Sequence, residues 1–411
     1  MTQPNTYDIL IIGAGAAGIG VAASLIKRDK LLHIAVIEPS NKHYYQPAWT
    51  LVGAGEFDLA KTERDMSSCI PKNITWIHDA ASTFSPDANF VTTQGGLDIS
   101  YQQLIVAAGL KIDWDAIPGL NETLGKNGVT SNYRSDLAPY TWQLVKNLKS
   151  GKAIFTQPPM PIKCAGAPQK ALYLSCSHWE NTGVLNNIEV DFCSAGAVLF
   201  SVAAYVPPLM QYIERYHAKL NFNCTLIAVD GPSKKASFNI KDAEGNITKV
   251  EKSFDLLHVV PPQTPPDFIK QSPLVDAAGW VEVNQTTLQH VRYANIFSLG
   301  DVCNSPNAKT AAAVRKQTVV VAENLIALRS GKALPTHYDG YGSCPLTVEK
   351  GKIILAEFGF GGKILTTFPL DSLVPRKINW MLKKYVLPFV YWNAMLKGRE
   401  WLARPLKPTK Q

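Results

Sequence analysis

The 411-residue sequence predicts an α/β protein of two Rossmann-like three-layer domains, the first discontinuous and interrupted by the second, followed by an amphipathic C-terminal segment. Three observations carry the prediction. The apolar run Ile9-Leu10-Ile11-Ile12 stops in Gly13-Ala14-Gly15-Ala16-Ala17-Gly18. Two later runs, Leu104 to Gly109 and Asn295 to Val302, repeat the form of a buried strand ending in small residues. Basic residues crowd the chain after Leu373. The chain is too long for one ordinary core, so two or three domains are expected.

Tyr7 to Glu38 reads as strand, glycine turn, helix and second strand, the opening unit of a dinucleotide site. Gly13 permits the sharp turn, Gly15 lets a pyrophosphate approach the backbone, and Gly18 lets the helix sit close to the sheet. Ala16 and Ala17 open the helix, whose free N–H groups and dipole favour phosphate. Glu38 closes the second strand, His33 to Ile37, about twenty residues after the last glycine, where an acid accepts ribose hydroxyls. The bare glycine pattern is weak alone; the strand before it, the helix behind it and the acid make it specific.

Pro39 to Pro47 is a loop by its Pro and Asn content, from which Gln46 can reach a bound cofactor. Strand-like pieces follow at Ile74 to Ile77 and Phe90 to Thr93, with the Ala80-Ala81 backbone between them a place for an adenine edge. Gly109 ends the run from Leu104. Gly300 and Asp301 end the run from Asn295, the acid placed to hold a ribityl hydroxyl. Lys309 opens a small-residue helix whose N-terminus can face a flavin ring. Together these pieces resemble FAD-dependent oxidoreductases of the disulfide-reductase type. The implied division is an FAD-binding domain of residues 1–112 and 264–335, an inserted domain of 113–263, and a C-terminal quinone- and membrane-associated segment of 336–411.

In nucleotide-dependent relatives of this architecture the inserted domain carries its own glycine fingerprint. Here its first strand, Lys152 to Thr156, runs into Gln157-Pro158-Pro159-Met160-Pro161-Ile162-Lys163-Cys164. Prolines and a cysteine stand where glycines are needed, and no acid closes the next strand, Ile188 to Phe192. A nicotinamide dinucleotide would be poorly cradled.

The stretch Pro161 to Lys170, with Tyr338 to Leu346 and Ile354-Leu355-Ala356-Glu357-Phe358, resembles sulfide:quinone oxidoreductases, particularly the form shared with mitochondria, over Tyr7 to Trp392. The resemblance implies a redox-active pair, Cys164 and Cys344, against the flavin. It implies that sulfide attacks the disulfide, leaving a persulfide on Cys344 and a thiolate on Cys164, that two electrons pass to FAD and then to quinone, and that sulfite, glutathione or another sulfide removes the sulfur. Both cysteines lie in loops beside proline or glycine, where a thiol can meet substrate. Cys69, Cys176, Cys193, Cys224 and Cys303 read as small buried hydrophobes. Lys163 and Lys170 could stabilise the thiolate, but read more simply as solvated loop lysines.

Seven cysteines without regular spacing argue against a stapled secreted scaffold, and no C-x-x-C pair suggests a metal. Any disulfide is therefore expected to be catalytic. The N-terminus has no basic region before its apolar run, so no secretory signal is read and synthesis in the cytosol is expected. Arg376, Lys377, Lys383, Lys384, Lys397, Arg399, Arg404, Lys407 and Lys410 against Glu400 account for the whole formal charge of +8. Basicity is thus local, and no nucleic-acid partner is implied.

From Leu373 onward no apolar run approaches the roughly 20 residues that cross a bilayer. Two helical pieces broken at Pro388, with Trp380, Trp392 and Trp401 beside lysines, instead fit a segment lying in the membrane interface. Packing of that segment on the body or on a second subunit, in a homo-oligomer, is the alternative. A membrane quinone makes the interface reading the better one, with Phe358, Phe360, Phe389 and Tyr391 as candidate lining. The expected location is peripheral, on the cytoplasmic face of a bacterial inner membrane or on the mitochondrial inner membrane of a eukaryote. An NADH:quinone oxidoreductase shares the FAD and the tail but needs the second fingerprint. A secreted flavin subunit with a haem partner is disfavoured by the missing signal, and a flavin redox sensor needs no quinone.

Overall fold

A computed structural model describes residues 5–403; Arg404, Lys407 and Lys410 of the basic tail lie outside the described residues. The first sheet has seven strands, in the order Ile74–Ile77, Ile34–Ile37, Thr6–Ile12, Asp98–Val106, Phe90–Thr93, Ala81–Ser85, with Ile296–Ser298 also pairing with Asp98–Val106. Thr6–Ile12 is parallel to both neighbours, and Ile9, Leu10 and Ile11 are wholly buried, as expected where both faces of a parallel sheet are covered. The parallel strands end together, which puts Gly13, Glu38, Gly109 and Gly300 at one carboxyl edge, where open α/β sheets bind ligands.

The second sheet has five parallel strands, in the order Val129–Thr130, Leu256–His258, Gly151–Gln157, Ile188–Ser194, Lys219–Asn221. A three-stranded antiparallel sheet, Cys224–Asp230, Lys235–Lys241 and Ile247–Ser253, follows the last of these. The loop that carries Cys164 leaves the carboxyl end of Gly151–Gln157 and enters the helix Ala167–Asn181. The hairpin Gly342–Glu349 and Lys352–Phe358, with Cys344 opposite Ala356, packs its inner side chains into the same apolar cluster as that helix.

The C-terminal segment departs from its sequence reading. Helix Lys377–Met381 does not break at Pro388; a π-turn, Leu382–Val386, leads into helix Leu387–Asn393. A proline lacks the N–H that an α-helix needs and crowds the carbonyl four residues back, and the wider turn before it accommodates both. Trp380 and Trp392 are buried rather than interfacial, and only Trp401 is exposed. Among the exposed apolar side chains of the segment, Ile378, Met381, Tyr385 and Phe389 are each more than half exposed and spaced to lie on one helical face. Among the described residues no helix is long and apolar enough to cross a membrane.

Candidate active site

The glycine turn has the shape that a dinucleotide requires. Gly13 has φ +95°, and a Cβ there would stand 2.8 Å from the Ala107 carbonyl oxygen; a Cβ on Gly18 would collide with the Gly13 carbonyl. A Cβ on Gly15 or Gly109 would meet nothing within 4 Å, so the space in front of both is open. The helix Ala16–Arg28 starts there with no side-chain cap, leaving its first N–H groups for a phosphate. Glu38 accepts from the amides of Ala14 and Ser40, both at 2.8 Å, which fixes its carboxylate beside the turn. Gly300, with φ +80°, brings the chain over Ala17, and Asp301 follows with its carboxyl pushed up by burial against the pull of Lys309 and Lys163. These residues fit FAD.

Three of the cofactor expectations change in detail. Lys309 directs its ammonium to the carbonyls of Asp301 (2.7 Å) and Cys303 (3.0 Å), so it braces the loop from behind. Gln46 spends its side-chain oxygen on Lys163 Nζ at 2.6 Å, an exposed contact next to Cys164 in sequence. Ala81 is buried opposite Thr93, and Ala80 already spends its amide on Asp79 (2.7 Å) and its carbonyl on Gln94 (2.8 Å).

Cys164 and Cys344, 180 residues apart in sequence, stand with their sulfurs 3.6 Å apart. Both are free thiols here, and forming the disulfide needs a closure of about 1.5 Å to the ~2.05 Å bond length. Cys164 is held in the left-handed region, φ +50°, a conformation that non-glycine residues adopt under constraint from their surroundings. The constraint is visible. Lys163 N donates to Gln263 Oε1 (2.7 Å), Cys164 N donates to the Lys309 carbonyl (2.8 Å), and the Tyr133 hydroxyl donates to the Lys163 carbonyl (3.0 Å).

Lys170 is the residue that the sequence reading placed wrongly. It is 2% exposed, on the first turn of Ala167–Asn181, with Nζ 3.0 Å from the Cys164 sulfur. The hydrogen bond from the Cys344 thiol and the Lys170 charge hold the Cys164 thiol well below its ordinary pKa, against burial. Cys344, facing that sulfur and buried, is pushed well above it. The pair is therefore polarised, with Cys164 the thiolate and Cys344 the thiol. Lys383, on the π-turn, is also buried; burial and the Lys170 charge bring its pKa down to about 7. Lys163 is lowered to about 8 by burial. Of the three lysines only Lys170 touches a sulfur; Lys383 interacts with both thiols, and Lys163 with Cys164, through charge.

The remaining cysteines, Cys69, Cys176, Cys193, Cys224 and Cys303, are all buried. The four aromatic candidates for a quinone do not converge. Phe358 packs on Phe200 in the core of the second sheet, ring centroids 5.9 Å apart, while Tyr391 is buried against Tyr45 in the core of the first, centroids 4.7 Å apart. Phe360 packs edge-on against Tyr338, and only Phe389 presents its ring outward. Hydrophobic side chains of this size were drawn into the two cores, which sequence position alone does not reveal. Among the described residues no cluster of His, Cys, Asp or Glu is arranged to hold a metal.

A dinucleotide cradle at one sheet edge and a cysteine pair, one member on a loop of a second Rossmann-like sheet and the other on the hairpin packed against it, define the pyridine nucleotide-disulphide oxidoreductase class, whose family description matches residues 7–152. Similarity extends much further to particular proteins. The mitochondrial sulfide:quinone oxidoreductase of Dictyostelium discoideum is 44% identical, over 97% of this chain and 88% of its own length. That of Mus musculus is 39% identical, over the same shares. A solved sulfide:quinone oxidoreductase from Aquifex aeolicus superposes with TM-score 0.78 at 19% identity, covering 97% of this chain and 92% of that one. The chain belongs to the sulfide:quinone oxidoreductase family.

Proposed function

We propose that the protein oxidises sulfide through the Cys164–Cys344 pair, with FAD in the glycine cradle as electron carrier and a membrane quinone as acceptor. The observation that carries this reading is the Cys164 sulfur, lying 3.6 Å from Cys344 and 3.0 Å from the Lys170 ammonium, on a loop tied to the cofactor edge through Lys309. The family names of its relatives support the same substrate and acceptor.

In the oxidised pair, HS⁻ attacks the Cys344 sulfur. A new S–S bond forms there, the Cys164–Cys344 bond breaks, and its electron pair stays on Cys164. Lys170 stabilises that leaving thiolate. Lys163 and Lys383, in their protonated forms, add positive charge that favours the incoming anion. Gly166 lets the start of the helix approach the hairpin closely: a Cβ there would collide with Leu346 and stand 3.4 Å from the Cys344 sulfur, so no side chain comes between Cys344 and the Cys164 loop. A small nucleophile, sulfite, glutathione or a second sulfide, then takes the terminal sulfur, and the two cysteine sulfurs rejoin with loss of two electrons. FAD, when bound, supplies the acceptor for those two electrons and their donor to quinone.

The exposed ridge Ile378, Met381, Tyr385 and Phe389, with Lys377 beside it, supports docking on an anionic bilayer, where a long-tailed quinone resides. The mitochondrial names of the relatives favour the inner membrane of that organelle, and nothing supports the bacterial alternative. At the edge where a nicotinamide dinucleotide would sit, the second sheet presents the Cys164 loop, so the NADH-dependent reading is not favoured. The test is sulfide-dependent reduction of a short-tailed quinone by the protein on vesicles. Turnover is expected with the native chain and is lost at least ~100-fold in Cys164→Ser and Cys344→Ser; a native chain that leaves quinone oxidised refutes the proposal.

A further inference from the structure

The C-terminal segment reaches the cofactor loop through a buried chain of hydrogen bonds that sulfide chemistry does not require. His43 and Tyr391 are both almost fully buried. His43 Nδ1 lies 3.1 Å from the Ala14 carbonyl oxygen, and His43 Nε2 lies 2.6 Å from the Tyr391 hydroxyl. A carbonyl can only accept, so Nδ1 carries the proton, Nε2 is the acceptor, and Tyr391 donates. Burial holds the imidazole neutral, with a pKa of about 4, which preserves this arrangement at neutral pH. The Ala14 amide is fixed from its other side by Glu38 Oε2 at 2.8 Å. Residue 14 of the dinucleotide turn is therefore pinned by its N–H to the ribose-binding acid and by its C=O, through His43, to helix Leu387–Asn393.

That helix is seated for the purpose. Tyr391 packs on Tyr45, and Trp392 stands edge-on to His43 with the Arg64 guanidinium 4.3 Å above its ring. Farther on, the chain crosses the other end of the first helix. There Glu400 pairs with Arg28 and accepts from Ser24 Oγ at 2.6 Å, and a Cβ on Gly398 would press on the Ala23 carbonyl. The segment whose outer face carries Phe389 thus spans the cofactor helix from end to end, and only the Tyr391 end touches the turn.

We propose that Tyr391, acting through His43, is a positioning residue for the cofactor: it sets the Ala14 peptide in the geometry that receives the pyrophosphate, so the membrane-facing segment also latches FAD. The inference rests on the FAD reading of the glycine cradle and goes beyond it by giving the C-terminal segment a part in cofactor retention. The test uses the full chain stripped of flavin and titrated with FAD, with quenching of flavin fluorescence as the readout. Tyr391→Phe keeps the packing but leaves Nε2 a buried acceptor without a donor, and its FAD Kd is expected to rise about tenfold. Glu400→Gln loosens the far end of the segment. It is expected to lower the melting temperature of the apoprotein while leaving the FAD Kd within about twofold of the native value. A Tyr391→Phe Kd within about twofold of native overturns the proposal, and so does a Glu400→Gln Kd that rises as far for the same loss of melting temperature. A native chain that quenches no FAD would refute the cofactor reading itself, a result separable from either.

Discussion

Replacing Lys170 by methionine removes one charge from a site where it has a single main task. The ammonium is 3.0 Å from the Cys164 sulfur and sealed from solvent, so water screens the pair poorly. Two unit charges at that distance attract by about 5 kcal/mol at an effective dielectric near 20. Desolvation of both partners takes back part of this, and hydrogen bonds to charged groups are worth about 1.5–3 kcal/mol in measured series. Taking about 2.5 kcal/mol, at 1.36 kcal/mol per pKa unit, the Cys164 thiol should rise by nearly two units. The sign is fixed by charge, because losing a cation disfavours the thiolate. The assay is alkylation of the reduced protein by iodoacetamide as a function of pH, followed at Cys164 by peptide mass mapping. The native profile should be half-maximal well below the ordinary thiol range, the Lys170→Met profile about two units higher, and Lys170→Arg close to native. A Lys170→Met profile that superposes on the native one would show that hydrogen bonding from Cys344 alone sets the thiolate, and would refute the reasoning.

Three further outcomes follow from the same structure. Gly166→Ala places a methyl group against Leu346 and the Cys344 sulfur, so stopped-flow should find sulfide-dependent flavin reduction slowed about tenfold or more, consistent with an overpacking cost of about 1–3 kcal/mol. Phe389→Asp should weaken binding to anionic vesicles by about 10- to 100-fold in a sedimentation assay, since burying a phenylalanine is worth about 1.5–3 kcal/mol; unchanged sedimentation would take the ridge out of the membrane contact. NADH added without oxygen should leave the flavin oxidised over minutes, because the second sheet offers it a cysteine loop in place of a glycine turn.

Much of the cofactor edge was legible because its signals are local. A strand, three glycines and an acid lie within Tyr7 to Glu38; the backbone displays a steric reason for Gly13 and Gly18 and open space in front of Gly15. The cysteine pair was not legible from spacing, since the chain joins Cys164 and Cys344 only by bringing the hairpin Gly342–Glu349 onto the helix Ala167–Asn181; the motifs around them supplied it through resemblance. Lys170 was misread because Gln169-Lys170 looks like a polar helix surface, while the structure covers that helix on nearly every side from Ala167 to Ser177. Lys383, Tyr133 and His43 gave no signal, since each acts through a contact made across the fold. Trp380 and Trp392 beside lysines suggested an interface, but their rings found core partners, and the exposed face fell to Ile378, Met381, Tyr385 and Phe389.

The central claim is that one cysteine pair carries sulfide oxidation, and a single anaerobic turnover tests it most directly. Sulfide mixed with the FAD-loaded protein should raise long-wavelength absorbance and then bleach the flavin, with a mass gain of one sulfur on the Cys344 peptide under trapping conditions. Neither spectral change should occur in Cys164→Ser or Cys344→Ser. Flavin bleached by sulfide at the native rate in Cys344→Ser would contradict the account.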